Sequence, residues 1–178
     1  MRNLWHDLPA GPNAPEVINV IVEIPGGTRN KYEFEHEGGY IVLDRVLASP
    51  LHYPADYGLI PRTLYDDGDP LDVLVLIKEP TFPGCVLIAR PIGMFRMLDG
   101  EDPDDKILAV AHNDPLYAEY QDLEDVNSHY LREVAHFFNR YKDLEGKRVE
   151  ALGWEPREVA LERISHAQQI YRNHFGYE

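Results

Sequence analysis

The 178-residue chain has one cysteine, five lysines and no apolar run near the ~18 residues that span a bilayer. The lone Cys85 excludes an internal disulfide and suits a reducing compartment, so the cytoplasm is the expected location. Its place in FPGCVLIAR suggests a buried strand residue rather than a nucleophile. The opening MRNLWHDLPAG lacks the apolar stretch of a secretory leader. Basic charge is also scarce, with 17 Lys and Arg against 31 Asp and Glu and a net charge of −14. That balance argues against a nucleic-acid partner, whose phosphates need Lys and Arg. It argues equally against an anionic membrane surface. A small polyanion is still compatible, provided that metal cations invert the local potential. Repeats, low-complexity tracts and linkers are absent, and the length suits one domain, 1–178, with a sizeable core.

What is present reads as α+β. EVINVIVEI alternates, with Ile18, Val20, Val22 and Ile24 on one face and Asn19, Ile21 and Glu23 on the other. KYEFEH sets Tyr32, Phe34 and His36 against Lys31, Glu33 and Glu35. YIVLDRV, DVLVLI, VLIARPIGMFRML and KILAVAH continue the strand pattern between Gly, Pro and Asp turns. Short strands at this spacing predict a small closed β-barrel rather than a βαβ array. Two helices are predicted to pack on it. SHYLREVAHFFNRYKDLEG carries Leu131, Val134, Phe138 and Tyr141 at helical spacing, capped by Asn127 or Ser128 and ended by Gly146. The second starts near Pro156 and lines up Ala160, Ile164, Ala167 and Tyr171.

LYDDGDPLDVLVLI, residues 64–77, crowds Asp66, Asp67, Asp69 and Asp72 against an apolar strand. Asp-Gly and Asp-Pro pairs are common turn formers, so a solvated acidic turn is one reading and a metal site the other. A calcium EF-hand loop counted from Asp67 would need Gly and Glu where Asp72 and Lys78 stand, so that pattern fails. An aspartyl-phosphate site would put its aspartate after the strand, not before it. The stretch LDGEDPDDKI repeats the theme with Asp99, Asp102, Asp104 and Asp105 at a second strand edge. Asp104 and Lys106, two apart in extended chain, should share a face. Carboxylates with water are what Mg²⁺ prefers, and a phosphate commonly completes its shell. Asp66, Asp102 and Asp105 read best as solvated loop residues. Arg45 amid apolar strand neighbours needs a partner.

Taken in order, VEIPGG, KYEFE, VLDRV, YPADYGLIP, DDGDPLDVLVL, DDKILAV and HFFNRYKDLEG resemble the soluble Mg²⁺-dependent inorganic pyrophosphatases of the single-domain barrel type. The likeness runs from about residue 8 to residue 153. It implies an OB-fold barrel with two packed C-terminal helices and hydrolysis of diphosphate by direct in-line attack of a metal-activated water. It further implies Asp67, Asp72 and Asp104 as ligands of the tighter Mg²⁺ pair, with Asp72 bridging. Asp99 and Glu23 would serve ions arriving with substrate. Asp69 would be the general base. Lys31, Arg45, Tyr57, Lys106, Tyr141 and Lys142 would bind phosphate, with Glu33 beside them and Tyr53 a weaker match. Mn²⁺ or Zn²⁺ would be possible substitutes, and a homohexamer is favoured over a dimer. The chain departs from the pattern at Asp56, where asparagine is common, and at Leu59, where an aromatic is common. Two rivals stay open: a metal-dependent hydrolase of nucleoside or sugar diphosphates, and a non-catalytic OB-type binding module.

Overall fold

The computed structural model describes residues 3–176, so Met1, Arg2, Tyr177 and Glu178 of the expected domain lie outside it. Nine strands and three α-helices are present among those residues, with short 3₁₀ turns between them. Strands β1 (Ile18–Ile24), β4 (Asp56–Leu59), β5 (Asp72–Leu76), β8 (Lys106–Ala111) and β6 (Val86–Asp99) pair in that order. β6 then returns to pair with β1, which closes the ring into the expected barrel. All these pairings are antiparallel except β5 with β8. The parallel register sets Asp72 beside Lys106, and this places the two acidic stretches at one end of the barrel.

The strands forecast as alternating are buried on both faces at the centre of the ring. Ile21 and Glu23 of β1 are as enclosed as Val20 and Val22. The cause is a cover on each side of the sheet. Leu74, Leu76, Leu108 and Val110 pack with Val134, Phe137 and Phe138 of α2 (Ser128–Arg140). Val73, Val75, Ile107 and Ala109 pack with Ala160, Ile164 and Ala167 of α3 (Arg157–Phe175). Burying a Leu, Ile or Phe side chain contributes about 1.5–3 kcal/mol. These two apolar layers therefore dominate the cohesion of the fold. No helix among the described residues is long and apolar enough to cross a membrane.

Several local expectations change. α2 starts at the Asn127 cap, whose side chain accepts from the His129 N–H, but it stops at Arg140 rather than Gly146. A separate 3₁₀ turn, Asp143–Glu145, follows and ends on Gly146 at φ 70°. The break frees Lys142 from the helix and turns it toward Asp99. Pro156 stands just ahead of α3 and not in its first turn. Val149–Pro156, for which no element was expected, forms β9, which pairs with the second half of β6. The amino-terminal α1 (Leu4–Asp7) was likewise not foreseen. Cys85 precedes β6 and is half-buried.

Outside the ring, β2 (Asn30–Glu35) and β3 (Tyr40–Val46) form a hairpin. A bulge at Asp44 gathers Lys31, Glu33, Asp44 and Arg45 on one face. The residues 98–103 turn back through β7 (Asp102–Pro103), presenting Asp99 and Asp104 near the mouth of the barrel.

Candidate active site

A cavity of about 390 Å³ opens at this end of the barrel. Its walls come from β1, the β2–β3 hairpin, the turn before β5, the β6–β7 turn, the start of β8 and the end of α2. The apolar run of β5 fixes Asp72, and Pro70 and Leu71 are buried directly behind the turn. The turn itself is closed by its own backbone. Tyr65 N–H donates to the Asp69 carbonyl at 2.7 Å, and Gly68 N–H donates to the Tyr65 carbonyl at 3.0 Å. Gly68 has φ 91°, a conformation that β-carbon-bearing residues avoid. Asp67 then accepts from the Asp69 N–H at 3.0 Å. Asp66, Asp67 and Asp69 stay exposed, and only the latter two line the cavity.

Carboxylates and ammonium groups interleave here. The Lys106 ammonium, almost fully buried, donates to both Asp72 and Asp104. The Tyr57 hydroxyl donates to Asp72 at 2.6 Å. Lys142 donates to Asp99 at 2.6 Å, and Lys31 is paired with Glu33. Glu23, Lys31, Glu33, Asp67, Asp69, Asp72, Asp99, Asp104, Lys106, Tyr57, Tyr141 and Lys142 thus share one cavity, and Tyr53 joins them. Arg45 is the exception. Its guanidinium turns away from the cavity to Glu145, which it grips with two bonds of 3.0 Å, and to Asp44.

Protonation follows from the crowding. Burial, reinforced by the Asp72 charge, pushes Glu23 up to about 8 against the opposing 2.7 Å bond from the Phe34 N–H. Although Asp67 is exposed, loss of water on its cleft side pushes it up to about 6 against the bond from the Asp69 N–H, with the charges of Asp69, Asp72 and Asp104 adding repulsion. Asp72 is raised by burial, an effect that Lys106 partly offsets. Tyr57 and Tyr141 are raised chiefly by burial, which keeps both hydroxyls protonated as donors toward an anion. Lys106 stays charged because Asp72 and Asp104 outweigh its burial.

Among the described residues, no three His, Cys, Asp or Glu side chains converge as a ready cage for an ion. The convergence is instead on Lys106, a cation already held by two of the carboxylates. The donor set is nevertheless of the right chemistry for a hard divalent cation: it is oxygen only, and its crowded carboxylates repel one another, with Asp67 and Asp72 raised in pKa. A divalent ion relieves that repulsion. The residues fit the group.

Residues 20–172 match the family model described as inorganic pyrophosphatase. The chain belongs to the inorganic pyrophosphatase family. It is 51% identical over 177 residues to the inorganic pyrophosphatase of Haloferax volcanii, covering 99% of this chain and 100% of that one. It is 51% identical over 165 residues to the inorganic pyrophosphatase of Nostoc sp., covering 93% and 97%. The crystal structure of inorganic pyrophosphatase from Thermus thermophilus superposes with a TM-score of 0.93 at 42% identity, over 96% of this chain and 99% of that one.

Within this pyrophosphatase frame, several residues at or behind the site were missed or misassigned from sequence. Asp105 was expected to be a solvated loop residue, yet its side chain is 3% exposed and bound to Tyr65 and Arg163. Asp102 is exposed as expected but lines the cavity. His36 also lines it, with Nδ1 3.7 Å from an Asp69 oxygen. The alternation of KYEFEH had placed His36 on the apolar face, opposite Lys31. Glu145, the partner Arg45 required, carried no signal beyond its charge.

Proposed function

We propose that this chain hydrolyses inorganic diphosphate to two phosphates, using several Mg²⁺ ions per site, with Mn²⁺ or Zn²⁺ as possible substitutes. The observation that carries the reading is the single cavity in which Asp67, Asp69, Asp72 and Asp104 face Lys31, Lys106 and Lys142. Asp67, Asp72 and Asp104 would hold the tighter ions, and Asp99 and Glu23 would serve ions arriving with substrate. Bound there, Mg²⁺ supplies charge neutralisation and lowers the pKa of water. Asp69, whose side chain is 65% exposed, is the base that takes the proton of the attacking water. Lys31, Lys106, Lys142, Tyr57 and Tyr141 orient the phosphates and stabilise charge on the transferred and leaving groups, and Glu33 holds Lys31. Arg45 would join them on release from Glu145 and Asp44. Ser, Cys and His supply no nucleophile in this scheme, so attack is direct. We further read residues 1–178 as one domain, the compartment as the cytoplasm, and the assembly as a hexamer.

Phosphate release from diphosphate, measured with Mg²⁺ beside a panel of nucleotides, tests the reaction. Activity confined to diphosphate, abolished by excess chelator and restored by Mg²⁺, is expected. Equal turnover in chelator would remove the metal from the mechanism. Asp69→Asn should lower turnover by ~10²-fold or more while still binding Mg²⁺. Near-normal turnover in that variant would take the role of base away from Asp69.

A further inference from the structure

Directly behind the cavity lies a polar cluster whose own side chains form no part of its wall. Asp105 Oδ2 accepts from the Tyr65 hydroxyl at 2.9 Å and pairs with Arg163 Nη2 at 3.2 Å. Arg163 Nη1 donates to the Tyr65 hydroxyl at 3.1 Å, and its guanidinium carbon lies 5.3 Å from the Tyr65 ring centre. Arg96 Nε approaches the other Asp105 oxygen at 4.0 Å and also reaches Glu155. Four elements therefore meet on one carboxylate: the turn before β5, the start of β8, α3 and, at the longest distance, β6.

Each arm ends next to the site. The backbone of Tyr65 closes the turn that carries Asp67 and Asp69, through the Asp69 carbonyl and the Gly68 N–H. Asp105 follows Asp104 in the chain, and Asp104 N–H is itself fixed on the Met97 carbonyl at 2.9 Å. Leu64 N–H bonds the Ala167 carbonyl of α3 at 3.0 Å, which anchors the same turn a second time. A cluster meant only for stability has no need to join these two stretches. Buried ion pairs of this kind commonly stabilise no better than apolar packing would, so geometry is the more economical account.

We propose that Asp105, Tyr65 and Arg163 are positioning residues that set the separation between the Asp67–Asp69 turn and Asp104, and so the affinity of the site for its divalent cations. The proposal rests on the reading of Asp67, Asp72 and Asp104 as the metal-holding carboxylates. Carboxylates held apart at a fixed spacing bind an ion without the entropy cost of gathering them. Freed from the cluster, the turn keeps its aspartates but loses its register against β8. Groups that orient ligands from behind typically change metal affinity by about 10–100-fold when removed.

The test uses Tyr65→Phe, which keeps the ring and removes the hydroxyl, and Arg163→Met, which removes the cation. Mn²⁺ is titrated calorimetrically into each protein without substrate. Turnover at saturating Mg²⁺ and thermal midpoints in chelator are measured alongside. Tyr65→Phe should weaken Mn²⁺ binding by about 10-fold, with turnover at saturating Mg²⁺ within about threefold of wild type. Ile164→Val, a core change on the same helix, should lower the thermal midpoint and leave Mn²⁺ affinity unmoved. If Tyr65→Phe destabilises the protein yet binds Mn²⁺ as wild type does, the cluster is merely structural and the proposal fails. Should Arg163→Met not fold, Tyr65→Phe decides alone. Wild-type protein that binds no Mn²⁺ and leaves diphosphate intact would overturn both the proposed function and this inference. Wild-type activity with unchanged variants overturns the inference only.

Discussion

Asp56 shows how one carboxylate can hold a corner of the barrel. It is fully buried at the start of β4, and both of its oxygens are used. Oδ1 accepts from the Gly26 N–H at 2.9 Å, and Oδ2 accepts from the Thr81 N–H at 2.9 Å and the Thr81 hydroxyl at 2.6 Å. All three partners are donors here. An asparagine, common at this position in the resembling pattern, has one acceptor and one donor group. Its NH₂ would face at least one N–H that no rotation of the amide can turn into an acceptor. Asp56→Asn should therefore cost about 1–3 kcal/mol, the penalty for leaving a buried donor unmet. Urea denaturation reads that loss directly, and turnover should hold, because Asp56 does not line the cavity. A variant as stable as wild type would show that the Gly26 and Thr81 loops rearrange freely. The substitution was visible in the sequence, but its partners were not, since Gly26 and Thr81 sit in loops on either side of it. The same distance effect hid Asp105, whose burial depends on Arg163 in the last helix.

At the scale of elements, β1, β5, β6 and β8 could be read because each is rich in apolar or β-branched residues and bounded by turn residues, whereas β4, four residues with no β-branched side chain, gave no such signal. Their two-sided burial could not, because it depends on helices that come later in the chain. β9 escaped notice for a different reason. Among the described residues it pairs only with β6, it leaves several of its residues exposed, and it carries Gly153 and Pro156, which are poor strand formers. Gly58, within YPADYGLIP, marks a place where two strands approach closely. It pairs with Val22, next to the irregular register between Val22 and Ile24 in β1. A β-carbon at position 58 would lie 2.0 Å from the Ile21 carbonyl oxygen. Backbone in a closed ring does not yield as a side chain does. Gly58→Ala should cost about 3 kcal/mol, the upper end of the usual range for overpacking. Because Tyr57 is its neighbour, the diphosphate KM should rise as well. A denaturation midpoint equal to wild type would mean that β1 and β4 separate without cost.

Across the whole molecule, α1 and the last turns of α3 are clasped together beside Arg62 and Thr63, ahead of the turn before β5. Trp5 of α1 donates its indole N–H to the Thr63 carbonyl at 2.9 Å, and its backbone carbonyl accepts from Arg62. Trp5 also stacks on His6 and packs edge-on against Tyr171 and Phe175 of α3. His6 Nδ1 lies 2.5 Å from the Tyr171 hydroxyl. Burial lowers the His6 pKa, His36 and Arg62 add to the effect, and Asp7 opposes it. The sign follows from the folded state disfavouring the charged ring. Above about 6.5 both folded and unfolded chains carry neutral His6, and the clasp is at full strength. As the pH falls below that value, the unfolded chain takes up a proton first, and folded stability drops until His6 titrates in the fold as well. Wild-type thermal midpoints should therefore fall between pH 7 and pH 5.5 relative to those of His6→Gln, which has no proton to gain. The difference between the two curves removes the contribution of the acidic cleft, where Asp67 and Glu23 titrate in the opposite sense and remain in both proteins. Parallel curves across that window would show that the clasp tolerates a charged His6, leaving the aromatic contacts of Trp5 to hold α1 against α3 by themselves.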